Sequence, residues 1–388
     1  MTGPSAALSP RLQDLRRAGR YRRRRVRQGP ATPWLTVDGR RLLAFACNDY
    51  LGLAADPRLG QAMARAAEEY GVGAGAAHLL GGHTAVHHAL EEALAGFVAR
   101  PRALLFSTGY MANLGVVSTL CGRGDVVLQD RLNHASLLDG ARLSGARLLR
   151  YHHGDMDHLR HRLRQAGEAA RLIATDAVFS MDGDLAPVAS LHHLSREAGA
   201  WLLVDEAHGL GVLGPDGRGA LAAQGVTDPE VIVMGTLGKA LGTFGAFVAG
   251  PEALIETLIQ DARSYLFTTA PPPAVAAATL AALEIVQREP ERREQLSERV
   301  RQFRRGAAEL GLPLIDSPTP IQPLVVGEDH RALVLSQALE EQGVWVPPVR
   351  PPTVPEGQAR LRITLSAAHE AEHVDRLLTA LGNLWRQV

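Results

Sequence analysis

The sequence predicts an α/β fold, with a large domain built on a mostly parallel sheet flanked by helices and a smaller α+β domain after it. Three observations carry that expectation. Short apolar runs alternate with helical stretches from residue 103 over roughly 180 residues, the pattern of strands joined by crossover helices. Special or polar residues (Gly109, Ser180, Asp205 and Lys239) follow those runs, and sheets of this kind bind ligands beyond the carboxyl ends of their strands. After residue 285 the pattern shifts to long helices and a few isolated strands. The expected organisation is a basic helix and arm over 1–50, the large domain over 51–285 and the small C-terminal domain over 286–388.

Taken in order, residues 8–27 read as a basic helix running into an arm. Residues 1–30 hold nine arginines and one acid, Asp14. Such a stretch suits a solvated tail, a phosphorylated carrier or an acidic partner. Ala44–Gly52 reads as a short strand and turn, and 58–70 as a helix. Gly71-Val72-Gly73-Ala74-Gly75-Ala76 matches GxGxxA. A dinucleotide fingerprint needs a strand before it, and a helix precedes this one. A helix over 84–99 carries His87, His88, Glu91 and Glu92; adjacent histidines face different sides of a helix, so no metal site is expected there. Strands are expected at 103–106, 126–128, 172–179, 201–204 and 231–234, with helices from 109 to about 120 and after His134. A helical stretch over 274–310 bends near Glu289-Pro290. Strands at 321–326 and 360–365 and a helix over 369–386 complete the chain.

Composition narrows the class. With 388 residues, 46% of them hydrophobic, the chain can bury a large core. Its formal net charge is zero, which argues against a nucleic-acid binder. Cys47 and Cys121 have no metal or disulfide-framework spacing, which favours a reducing cytoplasm. No secretory signal and no membrane-spanning run are read in it.

Lys239 is the sole lysine among 41 basic residues. Arginine replaces lysine as a surface cation but cannot shed its proton to attack a carbonyl. A lysine amine can form a Schiff base with a carbonyl substrate or with pyridoxal phosphate (PLP). Lys239 follows an apolar strand in the glycine-rich turn Gly235-Thr236-Leu237-Gly238, where backbone can approach a ligand and the Thr236 hydroxyl can reach a phosphate. Asp205 ends another apolar strand and needs a cationic partner, which a protonated pyridine nitrogen would be; a structural bond to His208 is the alternative. Gly109 and Tyr110 open a helix, whose free N–H groups favour phosphate. His134 opens another, placed either to stack on an aromatic ring or as a satisfied core histidine. The string Asp205-Glu206-Ala207-His208 lacks the phosphate loop that a helicase would need.

Together Ser180-Met181-Asp182-Gly183-Asp184, Asp205-Glu206-Ala207-His208-Gly209 and Thr236-Leu237-Gly238-Lys239-Ala240 resemble the α-oxoamine synthases. These are fold-type I, aminotransferase-like PLP enzymes that join an amino acid to an acyl thioester with loss of CO₂. The resemblance runs from Asn48-Asp49-Tyr50-Leu51-Gly52 to the C-terminal domain. It implies that Lys239 bonds the cofactor and moves the α-proton, Asp205 pairs with the pyridinium, and His134 stacks on the ring. Ser180 and His208 would hold the phenolic oxygen, and Gly109, Tyr110 and Thr236 the phosphate. Asn48 and Arg362 would address substrate carboxylates. Arg22, or a neighbour in the run 20–25, would line the acyl site with Thr353. The segments 350–355, 359–362 and 367–370 are similar to the branch that condenses L-alanine with a pimeloyl thioester, on an acyl carrier protein or on CoA. A sister branch, glycine C-acetyltransferase, shares the cofactor site. A homodimer is also implied. Where relatives carry a Ser-Gly-rich loop, this chain has Ala74–Gly82, without hydroxyls.

Overall fold

A computed structural model describes residues 8–387, which form two compact units. The larger comprises Asn48–Ser180 and Asp184–Gln295; the smaller takes the rest of the described chain, including Met181–Gly183 and the segment from Leu296.

The larger unit is built on one seven-stranded sheet. From edge to edge its strands run Arg102–Phe106, Ala246–Gly250, Ile232–Thr236, Trp201–Asp205, Ala170–Asp176, Val126–Asp130 and Arg147–Tyr151. All point the same way except Ala246–Gly250, which is antiparallel to both neighbours. The central strands are apolar because helices cover both faces: Val126–Asp130 and Ala246–Gly250 are buried at every position. The expected strand over 172–179 ends earlier, at Asp176. Beyond it Ala177 donates to the Asp205 carbonyl, and Ser180 lies in a turn closed by the Val178–Leu185 bridge. Ser180 therefore does not sit at a strand end.

Local chemistry sets the helices. Pro57–Tyr70 begins at Asp56, whose side chain accepts from Arg58 N, and stops at Gly71 with φ 79°, a left-handed angle that glycine tolerates. Gly109–Leu120 is capped by Thr108, which accepts from Met111 N. Ala135–Ser144 is capped by His134 itself. These last two helices approach closely. A Cβ on Gly140 would lie 2.9 Å from Val117 Cβ. The long helical stretch divides into Pro273–Arg288 and Glu291–Glu309, parting at the expected bend.

In the smaller unit, Ile321–Gly327, Ala359–Thr364 and Pro348–Val349 form an antiparallel sheet. The hairpin Trp34–Val37 and Arg40–Ala44 pairs with Arg27–Gln28 on one side and Val344–Trp345 on the other. The short strand expected within 44–52 is not formed: the hairpin's second arm ends at Ala44, and residues 45–49 carry no strand. The basic helix covers only Ser9–Arg17. Among the described residues no helix is long and apolar enough to cross a membrane.

Candidate active site

Lys239 sits in the connection between Ile232–Thr236 and the antiparallel return strand Ala246–Gly250. That connection is pinned at its base: Leu237 N donates to Gly245 O at 2.9 Å, and Thr243 N to Leu237 O at 2.9 Å. Gly242 packs flat on the neighbouring loop, since a Cβ there would lie 2.4 Å from Ala54 N. The amine is thus presented from a short, doubly held loop. Its Nζ lies 3.0 Å from His208 Nε2. The other ring nitrogen of His208 is 2.5 Å from the hydroxyl of Tyr50, which is fully buried. Tyr50 also reaches Asn48 Oδ1 at 3.4 Å.

Asp205 ends its strand buried. Oδ1 accepts from Ala207 N at 2.9 Å and Oδ2 from Asn113 Nδ2 at 2.8 Å. Beside it in the sheet register stands Asp176, also buried, which accepts from His134 N at 2.6 Å. Burial, then the neighbouring Asp205 charge, pushes the Asp176 carboxyl well above the usual range, as expected for paired buried acids. The backbone of His134 is thus tied to the sheet, and its ring nitrogen Nδ1 lies 2.8 Å from Ser136 Oγ. Burial holds the His134 imidazole below its ordinary value, which favours the neutral ring.

Gly109 meets Thr236 at the same end of the sheet; a Cβ on Gly109 would lie 2.8 Å from Thr236 Cγ2. Tyr110 is exposed, its hydroxyl donates to Asp139, and its ring stands edge-on to His134 at 6.3 Å. Its backbone N–H lies at the helix start, where free N–H groups point outward. Ser180 is half-buried in its turn.

Three substrate-assigned residues lie in the smaller unit. Arg22 donates to Thr353 Oγ1 at 3.0 Å. Both line a groove of about 520 Å³ with Arg23, Met181, Trp345 and Arg350. The neighbouring arginines of the run are differently engaged: Arg20 pairs with Asp329 and Glu356, and Arg25 with Glu340 and Asp38. Arg362 lies in the strand Ala359–Thr364 and reaches Thr364 Oγ1 at 3.2 Å.

Among the described residues, three histidine-containing groups bring ligand-type atoms within 4.8 Å: His78-His83-His87, His83-His88-Glu91 and His152-Asp155-His158. His87 and His88 do diverge, one buried and one exposed, but His83 from the preceding loop reaches toward both. In the first group His87 is already committed. Its Nδ1 accepts from Thr84 N at 3.1 Å and its Nε2 faces the Pro271 carbonyl at 2.8 Å, so it works as a helix cap.

Four residues around the site escape the sequence reading: Tyr50, Asn113, Ser136 and Asp176. Asn113 carries the one usable signal, a carboxamide at a core position of an otherwise apolar helix face.

The chain matches the model for aminotransferase class I and II over residues 40–381, and it belongs to that family. It is 59% identical to 8-amino-7-oxononanoate synthase of Alkalilimnicola ehrlichii, over 99% of this chain and 98% of that one. Among solved structures it is similar to serine palmitoyltransferase from S. paucimobilis with a bound PLP–myriocin aldimine, with a TM-score of 0.93, 31% identity and 98% and 97% of the two chains covered. It is also similar to 8-amino-7-oxononanoate synthase from Francisella tularensis, with a TM-score of 0.76, 31% identity and 89% and 98% covered.

Proposed function

We propose that this chain is a PLP-dependent acyltransferase that condenses L-alanine with a pimeloyl thioester, releasing CO₂ and forming 8-amino-7-oxononanoate, a step of biotin biosynthesis. The observation that carries the reading is a Lys239–His208 pair at the sheet end that also holds Asp205 and His134, in a chain 59% identical to a synthase of that name.

The residues present fit PLP. Asp205 is a buried acceptor on both oxygens, suited to a protonated ring nitrogen. Gly109 opens a helix where a side chain has no room, suited to backbone contact with a phosphate. When bound, PLP supplies an aldehyde for an amine and a ring that withdraws electrons from the α-carbon.

The chain's own residues divide the remaining work. Lys239 Nζ would hold the cofactor aldehyde and would move the α-proton. His208, fixed by Tyr50 on one nitrogen, holds its other toward Lys239 and, with Ser180, toward the phenolic oxygen. Burial favours a neutral His134, which would stack on a protonated cofactor ring without charge repulsion. Gly109, Tyr110 and Thr236 serve the phosphate through backbone N–H groups and one hydroxyl. Asn48 and Arg362 take substrate carboxylates, and Arg22 with Thr353 the acyl substrate. Arg22 donates to Thr353, the other residue given to the acyl substrate, so Arg22 is the member of the run we assign to that role. The thioester carrier is an acyl carrier protein or CoA. A cytoplasmic location accords with a chain that carries only two cysteines, and the proposed working unit is a homodimer.

The test uses purified protein. Adding PLP should raise absorbance near the visible edge, and borohydride should then label Lys239. L-Alanine with pimeloyl-CoA should give product, while glycine with acetyl-CoA should not. Lys239→Ala and Lys239→Arg should each lower kcat by roughly 10²- to 10⁴-fold or more, the range for losing a proton-transfer group. A label elsewhere, or a preference for glycine and acetyl-CoA, overturns the reading.

A further inference from the structure

We infer that Asn113 and Ser136 form a polar bridge between Asp205 and His134, fixing His134 with its proton on Nε2 and its Nδ1 as an acceptor. What Nε2 then faces rests on the PLP reading above; the bridge itself does not.

Asn113 Nδ2 lies 2.8 Å from Asp205 Oδ2 and 2.9 Å from Ser136 Oγ. An amide nitrogen has two hydrogens, and both are spent. Ser136 Oγ accepts one of them, so its own hydroxyl hydrogen is available for His134 Nδ1, 2.8 Å away. The Ser136 backbone N–H also points at that nitrogen, at 3.3 Å. A backbone N–H can only donate, so Nδ1 is the acceptor and carries no proton, and the Ser136 hydroxyl then donates to it as well. The reversed amide orientation would set the Asn113 oxygen against a carboxylate oxygen. In the orientation found, Asn113 Oδ1 is buried without a hydrogen-bond partner. A buried carbonyl left unmatched is what results when the nitrogen side must make both contacts. Asn113 itself is fully buried on the helix that Gly140 allows to approach. Asn113 and Ser136 are positioning residues. They set which face of His134 is a donor and occupy one oxygen of Asp205.

The experiment reads the tautomer directly. With ¹⁵N-labelled histidine, long-range ¹H–¹⁵N spectra of the PLP-loaded protein should show His134, assigned through its loss in His134→Gln, with an unprotonated Nδ1. Ser136→Ala loses the hydroxyl donor but keeps the backbone N–H, so its Nδ1 signal should shift while staying in the unprotonated range; Asn113→Leu should shift it in the same direction, and Ser136→Thr should restore it. An unchanged His134 signal in Ser136→Ala, which retains the fold's core, overturns the bridge even where Asn113→Leu fails to fold. A wild-type protein that takes up no PLP yet shows the tautomer, with its Nδ1 signal shifted in Ser136→Ala, supports the bridge and overturns the cofactor reading.

Discussion

His153 stands between two carboxylates, with Nδ1 3.1 Å from Asp130 and Nε2 2.7 Å from Asp184. Hydrogen bonds to Asp130 and then Asp184 hold its imidazolium up to about 10, from an ordinary 6.5. A histidine whose folded value is raised stabilises the fold fully below about 6.5, and that contribution is lost as pH rises toward 10. Asp130 meanwhile accepts from Leu132 N at 2.8 Å and Gly154 N at 2.9 Å, so the pair braces the turn leading to His134. In thermal melts between about pH 6 and pH 10, His153→Gln should flatten the alkaline decline that the wild type shows. Wild-type and variant curves that stay parallel would mean that His153 is not the titrating group. Lys239 was legible because its rarity and chemistry coincide in one residue. Asn113 was not, because a single polar side chain in an apolar helix identifies its partners only once the second helix is in place.

At the scale of elements, close approach decides what glycine can be replaced. Gly140→Ala would press a methyl against Val117, and overpacking of a filled core costs about 1–3 kcal/mol; chemical unfolding should show that loss. Gly109→Ala presses on Thr236 at the candidate phosphate end, so it should weaken PLP retention, followed by absorbance on dilution, more than it lowers the melting temperature. The strands legible in the sequence were the apolar ones that are buried on both faces. Arg147–Tyr151 was not, because it lies at the sheet edge with arginine at positions 147 and 150, largely uncovered. Ala246–Gly250 was hidden by its place after a glycine-rich turn, although pairing on both sides buries it entirely. The first hairpin has its signal in Asp38-Gly39, where both residues adopt positive φ (48° and 80°), the backbone of a tight hairpin turn. The apolar pattern there is broken by Arg40-Arg41, and that obscured it.

For the whole molecule, the larger unit leaves apolar side chains in water that its fold does not use. Leu79 and Leu80 are 54% and 79% exposed and Phe267 is 70% exposed. The Ala77–Thr269 bridge and the Ala270 N to Ala76 O bond draw their two loops side by side. Scattered exposed leucines are ordinary, but apolar residues gathered on adjoining loops favour association. A symmetric dimer presents the same patch twice, which makes a second copy of this chain the occupant we propose. Light scattering behind size exclusion should therefore give twice the 41.6 kDa chain mass. Leu80→Arg combined with Phe267→Arg should return it to 41.6 kDa with helical content intact by circular dichroism, since both side chains are exposed and their loss leaves no cavity. A wild-type protein that runs as the single chain while forming product at full rate would refute the dimer, and with it the reason for these loops to be apolar.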